Sequence, residues 1–153
     1  MINTPDSRIV NISSVGSKLH HYSEDIKATF RDPKLSLQQL DRLAETYVDA
    51  VDKGEAKTKG FGGANGYAVS KACINSLTHI LARENQGKVL VNCCCPGWVD
   101  TDMGGIMGKP PKTPEEGARI PFRLAVGDVG GVSGKYWENP SISGKGEGQV
   151  GEW

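Results

Sequence analysis

A parallel α/β sheet, doubly wound so that helices cover both faces, is the fold class the sequence predicts. Two unbroken apolar runs, 8–14 and 88–94, lack the polar alternation of a half-exposed strand and read as buried strands. Amphipathic or capped helical patterns lie between and after them, the alternation that parallel strands need for their crossovers. Glycine, 20 of 153 residues, is dense between Gly127 and Gly151. The expected organisation is one domain over 1–153, with a compact body ahead of a flexible tail over 140–153.

The elements follow in order. Residues 8–14 are rich in β-branched side chains and come after a Thr4-Pro5-Asp6 turn signal. Polar, irregular sequence fills Gly16 to Lys34. Ser36 and Gln39 then have capping-box spacing. Leu37, Leu40, Leu43, Ala44, Tyr47, Val48 and Val51 fall on one helical stripe, and Gly54 is a plausible stop, so a helix is expected over 36–53. A glycine-rich turn over 60–66 leads into a second helix, with Cys73, Leu77, Ile80 and Leu81 on its apolar face and Gly87 at its C-cap. Strand 88–94 follows and is broken by Pro96-Gly97. Thr113 as cap, Pro114 in the first turn and Glu116 closing the box open a third helix. Residues 134–138 read as a last, shorter strand; no internal repeat, heptad or interdomain linker is visible.

Composition excludes several function classes. Lys plus Arg and Asp plus Glu both number 18, so the formal net charge is zero. That balance gives no electrostatic reason for nucleic acid or an anionic membrane as partner. Mean hydropathy is −0.39, and no run approaches the roughly 18 apolar residues of a spanning helix. No basic start followed by an apolar stretch opens the chain, so a cytoplasmic location is expected. The cysteines, Cys73 and the run Cys93, Cys94 and Cys95, form neither a disulfide ladder nor a zinc knuckle and read as reduced thiols. His20, His21 and His79 lack metal-ligand spacing, so no metal is assigned.

Chemistry concentrates at three places. Tyr67 and Lys71, four apart at the start of a helix, share one face. A lysine cation beside a phenol favours the phenolate and eases proton transfer. Taken alone, such a pair is most often a pair of surface neighbours. Ser14 ends the first strand, at the carboxyl edge where parallel sheets place their ligands; the bland alternative for Ser13 and Ser14 is a strand-end serine satisfying backbone groups. Pro96, Gly97, Val99 and Thr101 follow the next strand at the same edge, where an ordinary Pro-Gly turn is the alternative. Cys95 adjoins this rim and reads either as an accessible thiol or, like Cys93 and Cys94, as a small core residue. Gly146, Gly148 and Gly151 satisfy G-x-G-x-x-G, but only Glu152 and Trp153 follow where the dinucleotide fingerprint needs a helix.

Asn11-Ile-Ser-Ser14, Tyr67-Ala-Val-Ser-Lys71 and the run from Asn92 to Met103 resemble the short-chain dehydrogenase/reductase family. Thr113-Pro-Glu-Glu-Gly-Ala118 and the insert over 20–62 before Tyr67 are most similar to its cytosolic carbonyl reductase subgroup. The resemblance implies the C-terminal half of a Rossmann-type doubly wound sheet. It implies that Ser14 bonds the substrate carbonyl, that Tyr67 passes the proton and that Lys71 holds the nicotinamide ribose. Pro96, Gly97 and Val99 would line the nicotinamide of NADP(H), and Thr101 would contact the cofactor near its phosphates. The implied activity is reduction of an aldehyde, ketone or quinone by a protein that is monomeric in its full-length form. The family's N-terminal half, with its glycine-rich turn and the Asn of its tetrad, has no counterpart here, so the chain is expected to be a fragment. The alternative function is a non-catalytic fragment or pseudoenzyme acting as an interaction module.

Overall fold

A computed structural model of the chain describes residues 7–106 and 108–153. The turn signal at Thr4-Pro5-Asp6 lies outside the described residues. The sheet has four strands in spatial order β1 (Arg8–Ile12), β2 (Leu90–Cys94), β3 (Tyr136–Glu138) and β4 (Gln149–Gly151). The first three are parallel, with Asn11 opposite Cys93 and Cys94 opposite Trp137. The predicted α/β class with a doubly covered parallel sheet is therefore what the chain forms.

Strand alternation feeds two cores. Cys93 and Tyr136 point into a cluster with Leu19, Val69, Ala72 and Ile80, whereas their neighbours Cys94 and Trp137 point into one with Ile120, Leu124 and Val129. Adjacent side chains of a strand face opposite ways, so an unbroken apolar run serves a sheet covered twice. The first cover is α3 (Gly66–Glu84) and the second α5 (Pro114–Val126).

The insert builds two helices on α3. In α2 (Leu37–Asp52), the Ser36–Gln39 capping box is in place, and Leu40, Leu43, Tyr47 and Ala50 are buried. The other, α1 (Glu24–Arg31), occupies part of the segment that reads as irregular polar sequence. Ser23 caps it, Glu24 and Asp25 sit in its first turn, and Phe30 alone is deeply buried. A two-turn helix with one anchoring side chain carries too little periodicity to be read from the chain.

The expectation of a flexible tail over 140–153 meets a different arrangement. Residues Gln149–Gly151 form β4, antiparallel to β3, and Trp153 is buried against His79 with a ring separation of 5.8 Å. The Asn139 amide organises the loop between the strands, donating to the Gly144 and Gly146 carbonyls and accepting from Gly148 N–H. Gly148 has φ +77°, and a Cβ there would meet Ile120 at 2.9 Å. The glycines of the apparent fingerprint thus shape a loop and a strand end.

Candidate active site

The carboxyl ends of β1 and β2 form one rim, and α3 delivers two side chains to it. Asn65 caps α3 by accepting from Ala68 N–H at 3.1 Å, which fixes Tyr67 in the first turn. Lys71, one turn on, reaches back and donates from Nζ to the Ile12 carbonyl at the end of β1, 3.0 Å away. Its ammonium lies 5.7 Å from the Tyr67 ring centroid. Tyr67 is 50% exposed.

Ser14 arrives by a tight turn. Its Oγ caps the single helical turn Val15–Ser17, accepting from Gly16 N–H at 3.1 Å and leaving its own O–H to donate. A Cβ placed on Gly16 would stand 3.4 Å from Tyr67 Cε1 and 3.5 Å from Ser14 Oγ, so the ring edge and the serine hydroxyl border one space. The sequence motifs for Ser14, Tyr67 and Lys71 are therefore brought to one place.

A buried relay holds that turn. Asn75 of α3 donates to Ser17 Oγ at 2.8 Å, Ser17 donates to the Ser14 carbonyl at 2.6 Å, and the Cys93 thiol donates to Asn75 Oδ1 at 3.3 Å. Asn75 and Ser17 are fully buried, so these bonds have no water to substitute for them. Sequence reading missed both residues. The available signal was an asparagine on the stripe that α3 buries, with Val69, Ala72, Ser76, Thr78 and Ile80.

The second half of the rim is the loop after β2. Cys95 Sγ accepts from Val15 N–H at 3.2 Å and Gly97 N–H at 3.4 Å, tying the loop to the Ser14 turn. Cys95 is 6% exposed and belongs to the core, not to the exposed rim. Lys112, which the sequence reading also missed, is 2% exposed and donates from Nζ to the Pro96 carbonyl at 2.6 Å. Burial holds this lysine below the ordinary lysine pKa. Its backbone pairs with the same loop, at Val99 and through Asp100 N–H, 2.8 Å from the Lys112 carbonyl. Gly97 has φ +88°, and a Cβ there would lie 2.5 Å from the Ile142 carbonyl. Thr101, exposed, caps the single turn α4 (Asp102–Gly105) by accepting from Gly104 N–H at 3.2 Å. Pro96, Gly97, Val99 and Thr101 thus line one stapled loop beside Ser14.

Beyond the rim lies a cavity of about 230 Å³ between the Val15 turn, the Gly97 loop and the 139–142 segment. Lys18 and Glu138 form an ion pair of 2.7 Å at its wall. Among the described residues, no cluster of three or more His, Cys, Asp or Glu is arranged to hold a metal.

A family model described as enoyl-(acyl carrier protein) reductase matches residues 54–132, the stretch that carries Tyr67, Lys71 and the Pro96 loop. Carbonyl reductase (NADPH) 1 of Oryctolagus cuniculus is 38% identical over 141 residues, 86% of this chain and 50% of that protein. The protein of the same name from Homo sapiens is 36% identical over 141 residues, again 86% of this chain and 50% of the relative. Salutaridine reductase from Papaver somniferum superposes with a TM-score of 0.75 at 33% identity, covering 87% of this chain and 45% of that one. The chain therefore spans about half the length of the relatives it matches. With three motifs in order, a parallel sheet that collects them at one edge, and these likenesses, the chain belongs to the short-chain dehydrogenase/reductase family.

Proposed function

We propose that this chain carries the catalytic rim of an NADPH-dependent carbonyl reductase acting on aldehydes, ketones or quinones. The observation that carries the reading is the meeting of Ser14, Tyr67 and Lys71 at the carboxyl end of β1, with the serine hydroxyl and the phenol ring both beside Gly16. Ser14 donates its O–H to the substrate oxygen. Tyr67 passes the proton to that oxygen. Lys71, with one N–H on Ile12, has two donors left for the ribose hydroxyls.

The donor set suits the nicotinamide end of the cofactor. Val99 N–H donates to no group among the described residues and is available to a carboxamide. Pro96 and Gly97 form the wall beside it, and Thr101 stands at the phosphate side. NADPH, when bound, supplies the hydride; the protein supplies position and the proton. The names of the relatives, carbonyl reductase (NADPH) 1, support the cofactor and the substrate class.

The insert over 20–62 covers the outer face of α3 with α1 and α2, which supports a monomer in the full-length form. The whole chain, 1–153, reads as one partial domain. No helix of the described residues is long and apolar enough to cross a membrane, and the proposed location is the cytoplasm. The half-length match supports the second reading, a non-catalytic fragment or pseudoenzyme that acts as an interaction module.

The deciding experiment joins the chain to a dinucleotide-binding half of a relative and follows NADPH oxidation with acetophenone. Tyr67→Phe keeps the ring and removes the proton donor, so turnover is expected to fall by about 10²–10⁴-fold. Turnover within a few fold of the parent would overturn the role given to Tyr67. Absence of any turnover in the parent would favour the interaction module.

A further inference from the structure

The Lys18–Glu138 pair is not used by the rim chemistry, yet it is set deliberately by the fold. Lys18 follows the Val15–Ser17 turn, and Glu138 ends β3, 120 positions away in sequence. Lys18 Nζ donates to Glu138 Oε1 at 2.7 Å, and the side chains are 31% and 17% exposed. The Tyr136 hydroxyl donates to the other carboxylate oxygen at 3.3 Å. Burial pushes the Tyr136 phenol far above its usual range, so it stays a neutral donor there. Each carboxylate oxygen keeps a lone pair, and the ammonium keeps two N–H groups.

The pair borders the cavity behind the rim. Val15, which follows Ser14, and Gly97, which follows Pro96, both line this space, so it adjoins the rim. Pro140 and Ile142 give its other wall two apolar side chains, beside Asn139 and Ser141. A cavity of this make-up takes a small apolar body with one polar group at its end. Lys18 and Glu138 together are net neutral and present a donor beside an acceptor. A hydroxyl satisfies both at once. An anion on the Lys18 N–H groups would stand beside the Glu138 carboxylate, and a cation on Glu138 beside the Lys18 ammonium, so in either case a like charge offsets the attraction.

We propose that this cavity binds the non-reacting end of the carbonyl substrate, and that the Lys18–Glu138 pair selects carbonyl compounds bearing a neutral hydroxyl over apolar or charged analogues. The inference rests on the reductase reading for the identity of the reacting group, but the cavity's preference is measured without cofactor.

Isothermal titration of the chain with three matched probes tests it: para-hydroxymethyl-, para-methyl- and para-carboxylate-substituted acetophenone. The hydroxymethyl ketone is expected to bind about tenfold or more tighter than either of the others, the range of a hydrogen bond to a charged group. Glu138→Gln keeps the shape of the side chain and an acceptor for Tyr136, and Lys18→Met keeps the stem. Each is expected to bring the hydroxymethyl and methyl affinities within about twofold, with the carboxylate probe gaining in Glu138→Gln and losing in Lys18→Met, whereas Lys18→Arg is expected to retain the preference. A second measurement uses the form joined to a dinucleotide-binding half, where the kcat/KM ratio of hydroxymethyl over methyl ketone is expected to collapse in Glu138→Gln. Equal affinities in the parent, or a preference that survives both Glu138→Gln and Lys18→Met, would overturn the proposal. The two readings fail separately. A preference without Tyr67-dependent turnover removes the reductase and leaves the site, whereas Tyr67-dependent turnover without preference does the reverse.

Discussion

Asn75 shows how much of a rim can hang on one buried amide. It bridges the Ser17 hydroxyl and the Cys93 thiol, and through Ser17 it sets the turn that presents Ser14. Asn75→Ala leaves these groups buried with fewer partners, which costs about 1–3 kcal/mol. Urea denaturation should register that loss, and a change under about 0.5 kcal/mol would show that the relay does not hold the turn. The thiols offer an independent check of the core. Burial pushes Cys73 up to about 11 and both Cys93 and Cys94 up to about 12. A thiol alkylates as its thiolate. At pH 8 these three should therefore resist iodoacetamide in the folded protein and react once urea is added, as read by mass spectrometry of the peptides. Rapid labelling of Cys93 or Cys94 in the native state would contradict the placement of β2.

The elements divide by how local their causes are. The caps of α2 and α5 are local: Ser36 with Gln39 and Thr113 with Glu116 satisfy end groups within four residues of chain, and both boxes are legible in the sequence. The runs behind β1 and β2 are legible for the same reason, since continuous β-branched and apolar side chains need cover on two faces. β4 is not of this kind. Its three residues carry no pattern, and it exists because Asn139 folds the loop back and β3 offers an edge. Trp153 then closes the end, packed on His79 and accepting from Arg31 through its carbonyl. Trp153→Ala should remove about 3 kcal/mol, the usual cost of deleting a buried aromatic side chain, and free the β4 amides to exchange. Unchanged amide protection at Gln149–Gly151 in hydrogen exchange would show that β4 holds without this anchor.

For the whole molecule the question is how much of a cofactor one rim can hold. In the proposed reading Lys71 and Val99 would hold the nicotinamide end and Thr101 would face the phosphates, and among the described residues no glycine-rich turn sits between a strand and a helix to take the pyrophosphate. The chain by itself should therefore show no saturable NADPH binding in the micromolar range by calorimetry. A micromolar dissociation constant would mean that the phosphates find other donors on this chain. The sheet points the same way: among the described residues β1 pairs on one side alone, with β2, and its Ile9 and Ile12 are 38% and 45% exposed. A strand with an open edge offers its backbone to a further strand.

What the sequence determined by itself was the class of fold, the two central strands, which run over 8–12 and 90–94 within the expected 8–14 and 88–94, two capped helices, and the motifs at Ser14, Tyr67, Lys71 and the Pro96 loop on which the proposed rim rests. All of these are written in local spacing, in periodicity or in short motifs, so each can be read without knowing what lies across the core. What only the tertiary structure decided joins residues far apart in the chain: Asn75 to Ser17, Lys112 to Pro96, and Lys18 to Glu138. It also decided that Cys95 lies inside and that the tail becomes a strand. The physical reason is that a buried polar group takes whatever partner the packing brings within hydrogen-bond reach, and that partner leaves no trace in the residues on either side of it.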